Sequence, residues 1–454
     1  MSDHLQVLIL SAEPPYPPTY GGARIRLFHL LQQLAPRHDI TLLTLLETPE
    51  DRDFLPALKP YCRKILAFDF TPPAKRPTLR ERLRAPAYRL VDSPPLAAAL
   101  VSELRDGHYD LVHADTSRMA VYTPLLRGHH KIIAATDSST LAHQNQTTLA
   151  QGLRAQARAR YLQWLVTRYE RDNYREYDAG VVVAERDAAV IRRLCPHLAV
   201  HVIPNGVNPD FLNFQPAPPA APFQLQSVSK VLPADASTRC RGSRPTIAGE
   251  SGCRAGMPDG LPAASSDFQN TLLVFTGTLD YEPNVDAVLW FTQQILPLIR
   301  RDIPATQFHV IGRNPTPKIH ELASENPNVK VTGFVPDLRP ALAAATVYVC
   351  PLRLGAGLKN KVLEAMAMGL AIVTTTEGAS GNAGRDGQHF LVANDPANFA
   401  AAGVKLLCDP HLRQQLGAAA RQLVSETYSW ERAGDAFHQL YLEVAGKGQL
   451  TGGS

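Results

Sequence analysis

The chain has 454 residues, of which 45% are hydrophobic and 19% charged, proportions typical of a soluble globular protein. This length exceeds what one ordinary hydrophobic core organises, so we expect two domains. The 46 Lys and Arg residues against 42 Asp and Glu leave a net charge of +4. That charge is too small for nucleic acid to be the main partner, although a weak attraction to anionic membrane surfaces stays open.

The first residues and the cysteines favour a cytoplasmic protein. The opening MSDHLQVLILSAEPP places an acid before a very short apolar run, which predicts a buried first strand and not a signal peptide. No apolar run approaches the length of a membrane span. The six cysteines are scattered without a C-x-x-C pair, as in proteins of a reducing compartment. We expect cytoplasmic localisation, with peripheral membrane contact left open.

The first half alternates apolar strand-like runs with amphipathic stretches, the pattern of a parallel sheet covered by helices. Helices are predicted at residues 22–34 and 162–174. The predicted strands span residues 5–10, 40–46, 65–70, 111–113, 132–135, 180–183 and 201–203.

Two segments depart from this alternation. Residues 71–98 are rich in Pro and Arg, and we interpret them either as a solvated loop and helix or as a basic amphipathic surface that rests on a membrane. Residues 214–268 are rich in Pro, Ser, Arg and Gly, with few large apolar side chains. Such a stretch buries too little surface to offset its ordering entropy, which predicts a flexible insertion in an interdomain linker.

The second half repeats the α/β pattern. Its predicted strands span residues 272–276, 307–311, 329–332, 346–350 and 371–375. Two doubly wound α/β domains are therefore expected. The predicted boundaries are an N-terminal domain of residues 1–206, a linker of residues 207–269, a C-terminal domain of residues 270–429 and a last helix of residues 430–446.

The most informative segment is residues 351–381, PLRLGAGLKNKVLEAMAMGLAIVTTTEGASG. An apolar strand leads into a loop with Gly355 and Gly357, and residues 358–368 form a predicted helix that Gly369 ends. Glycines let the backbone approach a ligand closely, while the free amides and the dipole of the helix start favour an anion. The layout predicts an anion site.

The charged residues of this helix sharpen that prediction. Lys359 and Lys361 lie in the first turn, where the helix dipole prefers acids, so a bound polyanion would offset their unfavourable position. Glu364, one turn further on, is suited to accept hydrogen bonds from sugar hydroxyls. An ordinary strand, loop and helix with solvated lysines is the alternative interpretation.

With its flanks, this segment resembles the donor-binding motif of retaining glycosyltransferases of family 4, in which a Gly-rich loop leads into a Lys-x-x-Glu-Ala-Met-Ala-x-Gly helix. The other stretches that resemble the family follow in the expected order: Gly21-Gly22, residues 202–207 (VIPNGV), 275–287 (FTGTLDYEPNVDA), 331–337 (VTGFVPD) and Tyr428-Ser429-Trp430. The resemblance covers nearly the whole chain apart from the insertion.

The resemblance implies a GT-B architecture, with two Rossmann-like doubly wound domains facing a central cleft and a C-terminal helix that crosses back onto the first domain. Because ligands of open α/β sheets bind beyond the carboxyl ends of the strands, we expect loops of both domains to line the site. It also implies a nucleotide-sugar donor, a glycan or lipid-linked acceptor, hexosyl transfer with retention and no cofactor. Polysaccharide or exopolysaccharide biosynthesis is the expected context.

Catalysis of this class stabilises the departing diphosphate and the positive charge that develops on the sugar ring. Lys361, supported by Lys359 or Arg353, is the first candidate for the diphosphate, and Glu364 for the nucleotide ribose. The other donor-binding candidates are a helix start (Gly21, Gly22) with Arg24 as charge partner, the first donor-domain loop (Gly277, Asn284), the nucleobase loop (Gly333, Phe334, Val335) and groups for the sugar hydroxyls (Gly355, Gly357, Gly378, Ser380).

The first domain offers further candidates. His113 and Asp115 end a predicted strand, and alternation places them on one face. The resemblance implies that members often carry a His here that touches the donor sugar, so both are predicted catalytic residues, with a structural role as the alternative. Asp137 and Glu170 are weaker candidates. No metal is expected, because no His and acid cluster has ligand spacing.

Two departures from the family pattern leave alternatives open. Ala356 stands where many members have a Glu that contacts the sugar, and Thr278-Leu279-Asp280 lacks a basic residue common there. A catalytically silent nucleotide-sugar-binding subunit and a nucleotide-sugar 2-epimerase therefore remain alternatives. A dinucleotide oxidoreductase is disfavoured, because the Gly355-Ala356-Gly357 loop lacks a third glycine and does not follow a first strand.

Overall fold

The computed structural model describes residues 4–18, 22–70, 93–149, 152–215 and 271–447. Gly21, most of the basic segment 71–98 and nearly all of the predicted insertion 214–268 lie outside the described residues.

The first domain is built on a parallel sheet of seven strands in the order β3-β2-β1-β4-β5-β6-β7. Its strands are rich in Val, Ile and Leu because helices cover both faces. They are β1 (Gln6–Ser11), β2 (Asp39–Leu46), β3 (Lys64–Asp69), β4 (Leu111–Asp115), β5 (Lys131–Thr136), β6 (Ala179–Val182) and β7 (Ala199–Val202). The helices are α1 (Gly22–Leu34), α2 (Glu50–Phe54), α3 (Pro94–Asp106), α4 (Ser139–Leu149), α5 (Leu153–Tyr174), α6 (Glu185–Leu194) and α7 (Pro209–Leu212), with 3-10 turns at Leu55–Leu58 and Ser117–Leu126.

The second domain contains a parallel sheet of six strands in the order β10-β9-β8-β11-β12-β13. They are β8 (Leu272–Thr276), β9 (Gln307–Ile311), β10 (Val329–Val331), β11 (Val347–Cys350), β12 (Ile372–Thr374) and β13 (Leu391–Val392). The helices are α8 (Glu282–Trp290), α9 (Leu296–Asp302), α10 (Pro317–Glu325), α11 (Arg339–Ala343), α12 (Asn360–Ala367), α13 (Thr376–Ala379), α14 (Pro396–Cys408), α15 (Pro410–Thr427) and α16 (Trp430–Val444), with a π-helical turn at Phe291–Ile295.

Both sheets reverse their winding direction at a central strand pair. β1 pairs with β4 in the first domain, and β8 pairs with β11 in the second. Crevices at the carboxyl ends of such strand pairs are the usual ligand sites of open α/β sheets. The loops after β8 and β11, which carry the sequence motifs, lie at this position.

The last helix, α16, packs on the first domain although it follows the second in sequence. Phe437 and Tyr441 are fully buried in the apolar cluster that contains β1 and α1. Gly434 lets the two helices approach closely, because a Cβ atom there would collide with the side chain of Gln33. The predicted two-domain α/β fold with a returning C-terminal helix is confirmed.

Candidate active site

The glycine-rich loop between β11 and α12 is held by side chains of the first domain. Gly357 has φ +67°, a left-handed conformation that favours glycine, and its amide donates to Asp187 Oδ2 at 3.2 Å. The carbonyl of Gly355 accepts a hydrogen bond from Asn145 Nδ2 at 2.7 Å. The start of α12 therefore faces the first domain.

Lys361 lies in the first turn of α12 with its ammonium group beside the end of β8. Nζ donates to Asn284 Oδ1 at 2.6 Å and lies 4.4 Å from the ring centre of Phe275. Within the described part of the chain no carboxylate forms an ion pair with it. Burial lowers the pKa of Lys361 to about 8, partly opposed by Cys350.

Gly277, at the end of β8, makes room for this arrangement. A Cβ atom at residue 277 would lie 2.5 Å from Lys361 Nζ and 2.8 Å from Asn284 Nδ2. Asn284 Nδ2 also donates to the carbonyl of Thr278 at 2.8 Å, which fixes the amide that receives the lysine. The structure thus brings the predicted residues Gly277, Asn284 and Lys361 together.

Glu364 follows one turn later on the same helix. Burial raises the pKa of its carboxyl group to about 7, and the charge of Lys361 opposes that rise. Among the described residues, no hydrogen bond or ion pair reaches this carboxylate. The acceptor oxygens of Glu364 are therefore unused by the described residues.

The ammonium group of Lys359 is surrounded by oxygen atoms of the protein. Its Nζ donates to the carbonyls of Ala356 at 2.9 Å and Gly357 at 3.0 Å, and it lies 3.4 Å from Glu377 Oε1 and 3.3 Å from Ser380 Oγ. These contacts shape the loop from within. Lys359 and Ser380 thus brace the candidate site, whereas Lys361 faces its interior.

The contacts of the Arg353 side chain lie within the second domain. It forms a two-point ion pair with Asp286, with Nε at 3.0 Å, and its guanidinium lies 5.1 Å from the ring centre of Trp290. Arg353 also borders a cavity of about 810 Å³ beside the carboxyl ends of β11 to β13, together with Arg186 of the first domain and Glu377. The cavity adjoins the glycine loop but is not lined by Lys361 or Glu364.

The predicted nucleobase loop lies at the end of β10. The carbonyl of Gly333 accepts a hydrogen bond from the amide of Gly312 at 3.0 Å. Gly333 adopts the left-handed backbone conformation, with φ +71°, which favours glycine. The ring of Phe334 is 49% exposed, while Val335 packs against the core of the second domain. Phe334 is therefore the member of this loop that presents a flat surface for stacking.

The structure contradicts the catalytic assignment of His113 and Asp115. His113 is fully buried, its Nδ1 lies 2.5 Å from Tyr441 Oη, and its ring stacks on Phe437 of α16. Burial and the charge of Arg26 lower its pKa to about 3. Asp115 is 2% exposed, and burial raises its pKa to about 7 against the effect of Arg26. Neither side chain is accessible to a substrate.

Two donor-binding predictions also need correction. Arg24 is 7% exposed and already pairs with Glu13 at 2.8 Å and Asp51 at 2.9 Å, so its charge is neutralised within the first domain. Gly378 is buried, its amide donates to Thr375 Oγ1, and a Cβ atom would collide with the carbonyl of Cys350. Both residues maintain local structure.

The two weaker candidates differ in position. Glu170 accepts hydrogen bonds from the amides of Ser139 at 2.7 Å and Thr140 at 3.2 Å, so it fixes the start of α4. Asp137 adjoins the glycine loop, since a Cβ atom placed on Gly357 would lie 3.0 Å from the Cβ atom of Asp137. Burial and the neighbouring Asp187 raise the pKa of Asp137 to about 6.

Several residues of the site were missed by the sequence analysis. Arg186 Nη1 donates to Glu377 Oε2 at 2.8 Å across the domains, beside the contacts of Asn145 and Asp187 with the loop. Asp187 and Arg186 follow the carboxyl end of β6, the position where ligands of such sheets bind, and that rule was the available signal.

A second contact between the domains involves the Pro-Asn-Gly motif. Asn205 Nδ2 donates to Asn360 Oδ1 at 3.0 Å, while its Oδ1 accepts from Arg26 Nη1 at 2.5 Å. Gly22 lies close to the same helix start, because its Cβ position is 3.7 Å from Asn360 Nδ2. The predicted helix start at Gly22 therefore does adjoin α12.

Among the described residues there is neither a metal-ligand cluster nor a helix able to span a membrane. No group of three or more His, Cys, Asp and Glu side chains there is arranged to hold a metal ion. None of the helices in the described ranges has both the length and the apolar content needed to cross a membrane.

Comparison with family models gives a match in each domain. The model described as Glycosyltransferase Family 4 matches residues 20–211, and that described as Glycosyl transferases group 1 matches residues 270–409. Together they cover more than half of the chain and include the glycine loop, Lys361 and Glu364.

Curated relatives match part of the chain. An uncharacterised 44.6 kDa protein from the cps region of Klebsiella pneumoniae is 23% identical over 30% of this chain and 36% of its own length. Glycogen synthase of Mycobacterium tuberculosis is 31% identical over 37% and 42%, and the phosphatidyl-myo-inositol mannosyltransferase of that organism is 28% identical over 42% and 50%. The chain thus spans half or less of the length of these relatives.

Solved structures match over nearly the whole chain. Anabaena HepE in complex with UDP has a TM-score of 0.61 at 13% identity and covers 97% of this chain and 100% of its own. Sucrose-phosphate synthase from Thermosynechococcus elongatus has a TM-score of 0.67 at 18% identity and covers 97% and 99%. At these identities the likeness concerns the fold.

Proposed function

Because the chain belongs to the glycosyltransferases of family 4 and group 1, we propose that it moves a hexosyl group from a nucleoside-diphosphate sugar to a glycan or lipid-linked acceptor. We further propose that the transfer retains the anomeric configuration, needs no metal ion and serves polysaccharide biosynthesis. Structural relatives were solved with UDP and with UDP-glucose, which supports a donor of this class.

The observation that carries this proposal is the pairing of Lys361 and Glu364 on one face of α12. A single ammonium group, oriented by Asn284 and without a carboxylate partner in the described residues, lies at a helix start that favours anions. One turn away, Glu364 offers a carboxylate with unused acceptor capacity. A ligand that carries both a polyanion and vicinal hydroxyls, such as a nucleoside diphosphate, fits this pair.

In the proposed reaction, the bond between the anomeric carbon and the diphosphate oxygen breaks while an acceptor oxygen attacks from the same face. The departing diphosphate takes up the negative charge, and Lys361 and the first amides of α12 stabilise it. The acceptor proton passes to a diphosphate oxygen, so the step needs no protein nucleophile. Glu364 accepts from the ribose hydroxyls and fixes the register of the donor.

The test is a transfer assay with a panel of nucleotide sugars on four variants. Lys361→Ala and Glu364→Ala remove the two side chains on which the proposal rests. Lys405→Ala and Glu321→Ala remove exposed residues of the same types elsewhere in the second domain. We expect Lys361→Ala to lower kcat/KM by about 10²-fold or more, in line with loss of one oriented donor to a transition-state oxyanion. The two controls should keep wild-type activity.

A second candidate function, a catalytically silent donor-binding subunit, is favoured by one observation. Ala356 supplies no carboxylate to the sugar, and its carbonyl is taken by Lys359. Donor binding by calorimetry without turnover above background in the wild-type protein would support this candidate. Conversion of the donor to its C2 epimer without an acceptor would instead identify an epimerase.

A further inference from the structure

The helix α5 (Leu153–Tyr174) carries an exposed apolar stripe that the proposed function does not use. Leu153 is 86% exposed, Tyr161 41% and Trp164 50%, so three of the seven exposed large hydrophobic residues in the described chain lie on this one helix. Their spacing places them, with Ala157, along one face. Such clustering on an otherwise polar surface marks a docking site.

Positive charges flank the stripe on both sides. Arg154, Arg158, Arg160 and Arg168 are all exposed. Arg168 pairs with Asp172 at 3.3 Å, whereas the sequence contains no Asp or Glu from residue 138 to residue 169 beside the other three. The guanidinium of Arg168 lies 5.8 Å from the ring centre of Trp164, which stacks on Tyr161 at 6.3 Å. We call the exposed side of residues 153–168 the cationic aromatic face.

The opposite side of α5 anchors the helix in the protein. Leu165, Val166 and Tyr169 are buried, and the helix packs along α4. The cationic aromatic face is therefore not needed to complete the core of the first domain. At the other side of the α4–α5 pair, Asn145 contacts the glycine loop.

We propose that the cationic aromatic face docks on an anionic lipid surface. Trp and Tyr rings partition into the headgroup region, arginine stems extend over apolar surface while their guanidinium groups meet lipid phosphates, and the helix lies in the plane of the interface. Charge complementarity selects this occupant. A second copy docked through the same face would bring Arg154, Arg158 and Arg160 against their own counterparts.

The two long segments that the structure does not describe also lack the negative charge that would complement the cationic aromatic face. Residues 71–92 contain six basic and two acidic residues, so they would repel it. Residues 216–270 contain five basic and four acidic residues and offer no acidic run to neutralise Arg154, Arg158 and Arg160. An external anionic surface satisfies what these segments do not.

This docking goes beyond the proposed function and does not depend on transfer activity. If the proposed function holds, it also selects among the acceptors: a lipid-linked acceptor held in the same membrane would lie on the side of the molecule where α4 reaches the glycine loop. Vesicle binding is measured without donor or acceptor, so its failure and a failure of the transfer assay are distinguishable.

The experiment uses the full chain with vesicles of phosphatidylcholine alone and vesicles that also contain phosphatidylglycerol. Tryptophan fluorescence gives a direct readout, because the chain has 3 tryptophans and the other two, Trp290 and Trp430, are 5% and 3% exposed. We expect cosedimentation and a blue shift of emission with the anionic vesicles, both weakened by salt. Trp164→Phe should bind but lose the blue shift.

Charge removal supplies the matched comparison. The double variant Arg154→Gln/Arg158→Gln should bind anionic vesicles about 30-fold more weakly, since each basic residue near such a surface contributes about fivefold. Arg300→Gln/Arg301→Gln removes the same charge from the second domain and should bind as the wild-type protein does. Equal binding to neutral and anionic vesicles, an equal loss in both double variants, or binding of polyuridylate RNA without vesicle binding would each overturn the proposal.

Discussion

At the scale of single residues, the environment of Lys361 determines how easily its ammonium group loses its proton. Its ammonium group is partly desolvated against the ring of Phe275, which makes the charged form costly until an anion arrives. Burial also favours the neutral form of Glu364, so the pKa of the carboxyl group is raised whereas that of the ammonium group is lowered. The two groups stabilise each other's charge, so they titrate as a coupled pair.

This coupling predicts a narrow pH range for donor binding. Lys361, with its pKa lowered to about 8, loses its charge as pH rises through 8, so diphosphate affinity should fall there. Glu364, with its pKa raised to about 7, becomes neutral as pH falls through 7 and then accepts less strongly from the ribose. Calorimetric titration of nucleoside diphosphate across this range should show an affinity maximum between these values.

The variant Lys361→Arg isolates the alkaline limb of that profile. A guanidinium group stays charged throughout the range, so the fall in affinity above pH 8 should disappear even if the absolute affinity changes. A limb near pH 8 that persists in the arginine variant would assign the titration to another group and contradict the prediction.

The residues that sequence reasoning misplaced are buried polar groups whose hydrogen-bond or ion-pair partners are distant in the chain. His113 is bound to Tyr441, 328 residues later, and Arg24 pairs with Asp51, 27 residues later. Spacing within a motif reports which face a side chain occupies but not what covers that face. Both were therefore assigned to the cleft, whereas the fold buries them.

At the scale of elements, the glycines after β8 and β11 define the space around α12. The loop after β8 approaches α12 so closely that a side chain at residue 277 would collide with Lys361 and Asn284. Gly312, at the end of β9, is similarly confined by the carbonyl of Gly277. The end of β9 thus packs against the loop that contacts Lys361.

The variant Gly277→Ala should displace Lys361 without unfolding the domain. Its Cβ atom would lie 2.5 Å from Lys361 Nζ, the mobile end of a long side chain, so the ammonium group should move and lose Asn284. Loss of one charge-assisted hydrogen bond, about 1.5–3 kcal/mol, corresponds to at least a tenfold weaker donor affinity by calorimetry.

Gly387→Ala is the matched control for that substitution. Gly387 has φ +72° with nothing within 4 Å of its Cβ position, so alanine there introduces backbone strain but touches no part of the site. It should lower thermal stability by about 1–2 kcal/mol and leave donor affinity unchanged. Similar donor affinities for the two variants would show that the crowding at Gly277 is unimportant.

The elements themselves followed closely from the sequence, because strands buried on both faces leave continuous apolar runs. The predicted strand of residues 111–113 extends to Asp115, since a buried polar residue interrupted the apolar signal. Strand β13 has two residues and gives no periodicity. The helix predicted from residue 162 begins at Leu153, because its first turns are stabilised by α4 and carry no apolar face of their own toward the core.

The site was predictable where it is local and not where it spans the chain. Gly355, Gly357, Lys361 and Glu364 belong to one loop and helix, so their chemistry could be inferred from spacing. Asn145 reaches the same loop from 210 residues away. Contacts of that kind depend on how the two domains meet, which no local pattern encodes.

At the scale of the whole molecule, the two domains are joined by a shared apolar core and by polar contacts around the glycine loop. Val183, Ala184 and Val207 of the first domain belong to the apolar cluster of the second. Asn205 and Asn360 form the hydrogen bond nearest the start of α12. The proposed donor site is therefore completed by the arrangement of the domains.

Arg186 allows this arrangement to be tested, because its described partners are Glu377 Oε2 at 2.8 Å and Asn145 Oδ1 at 3.4 Å, both at the glycine loop. The side chain is 42% exposed, so the pair contributes about 1 kcal/mol or less. Arg186→Gln should raise the donor KM about two- to fivefold without lowering the melting temperature of the first domain, since no core contact is lost. Arg193→Gln, an exposed arginine on the same helix, removes the same charge away from Glu377 and should leave KM unchanged. Equal KM values for both variants would mean that the ion pair between Arg186 and Glu377 does not help to position the loop.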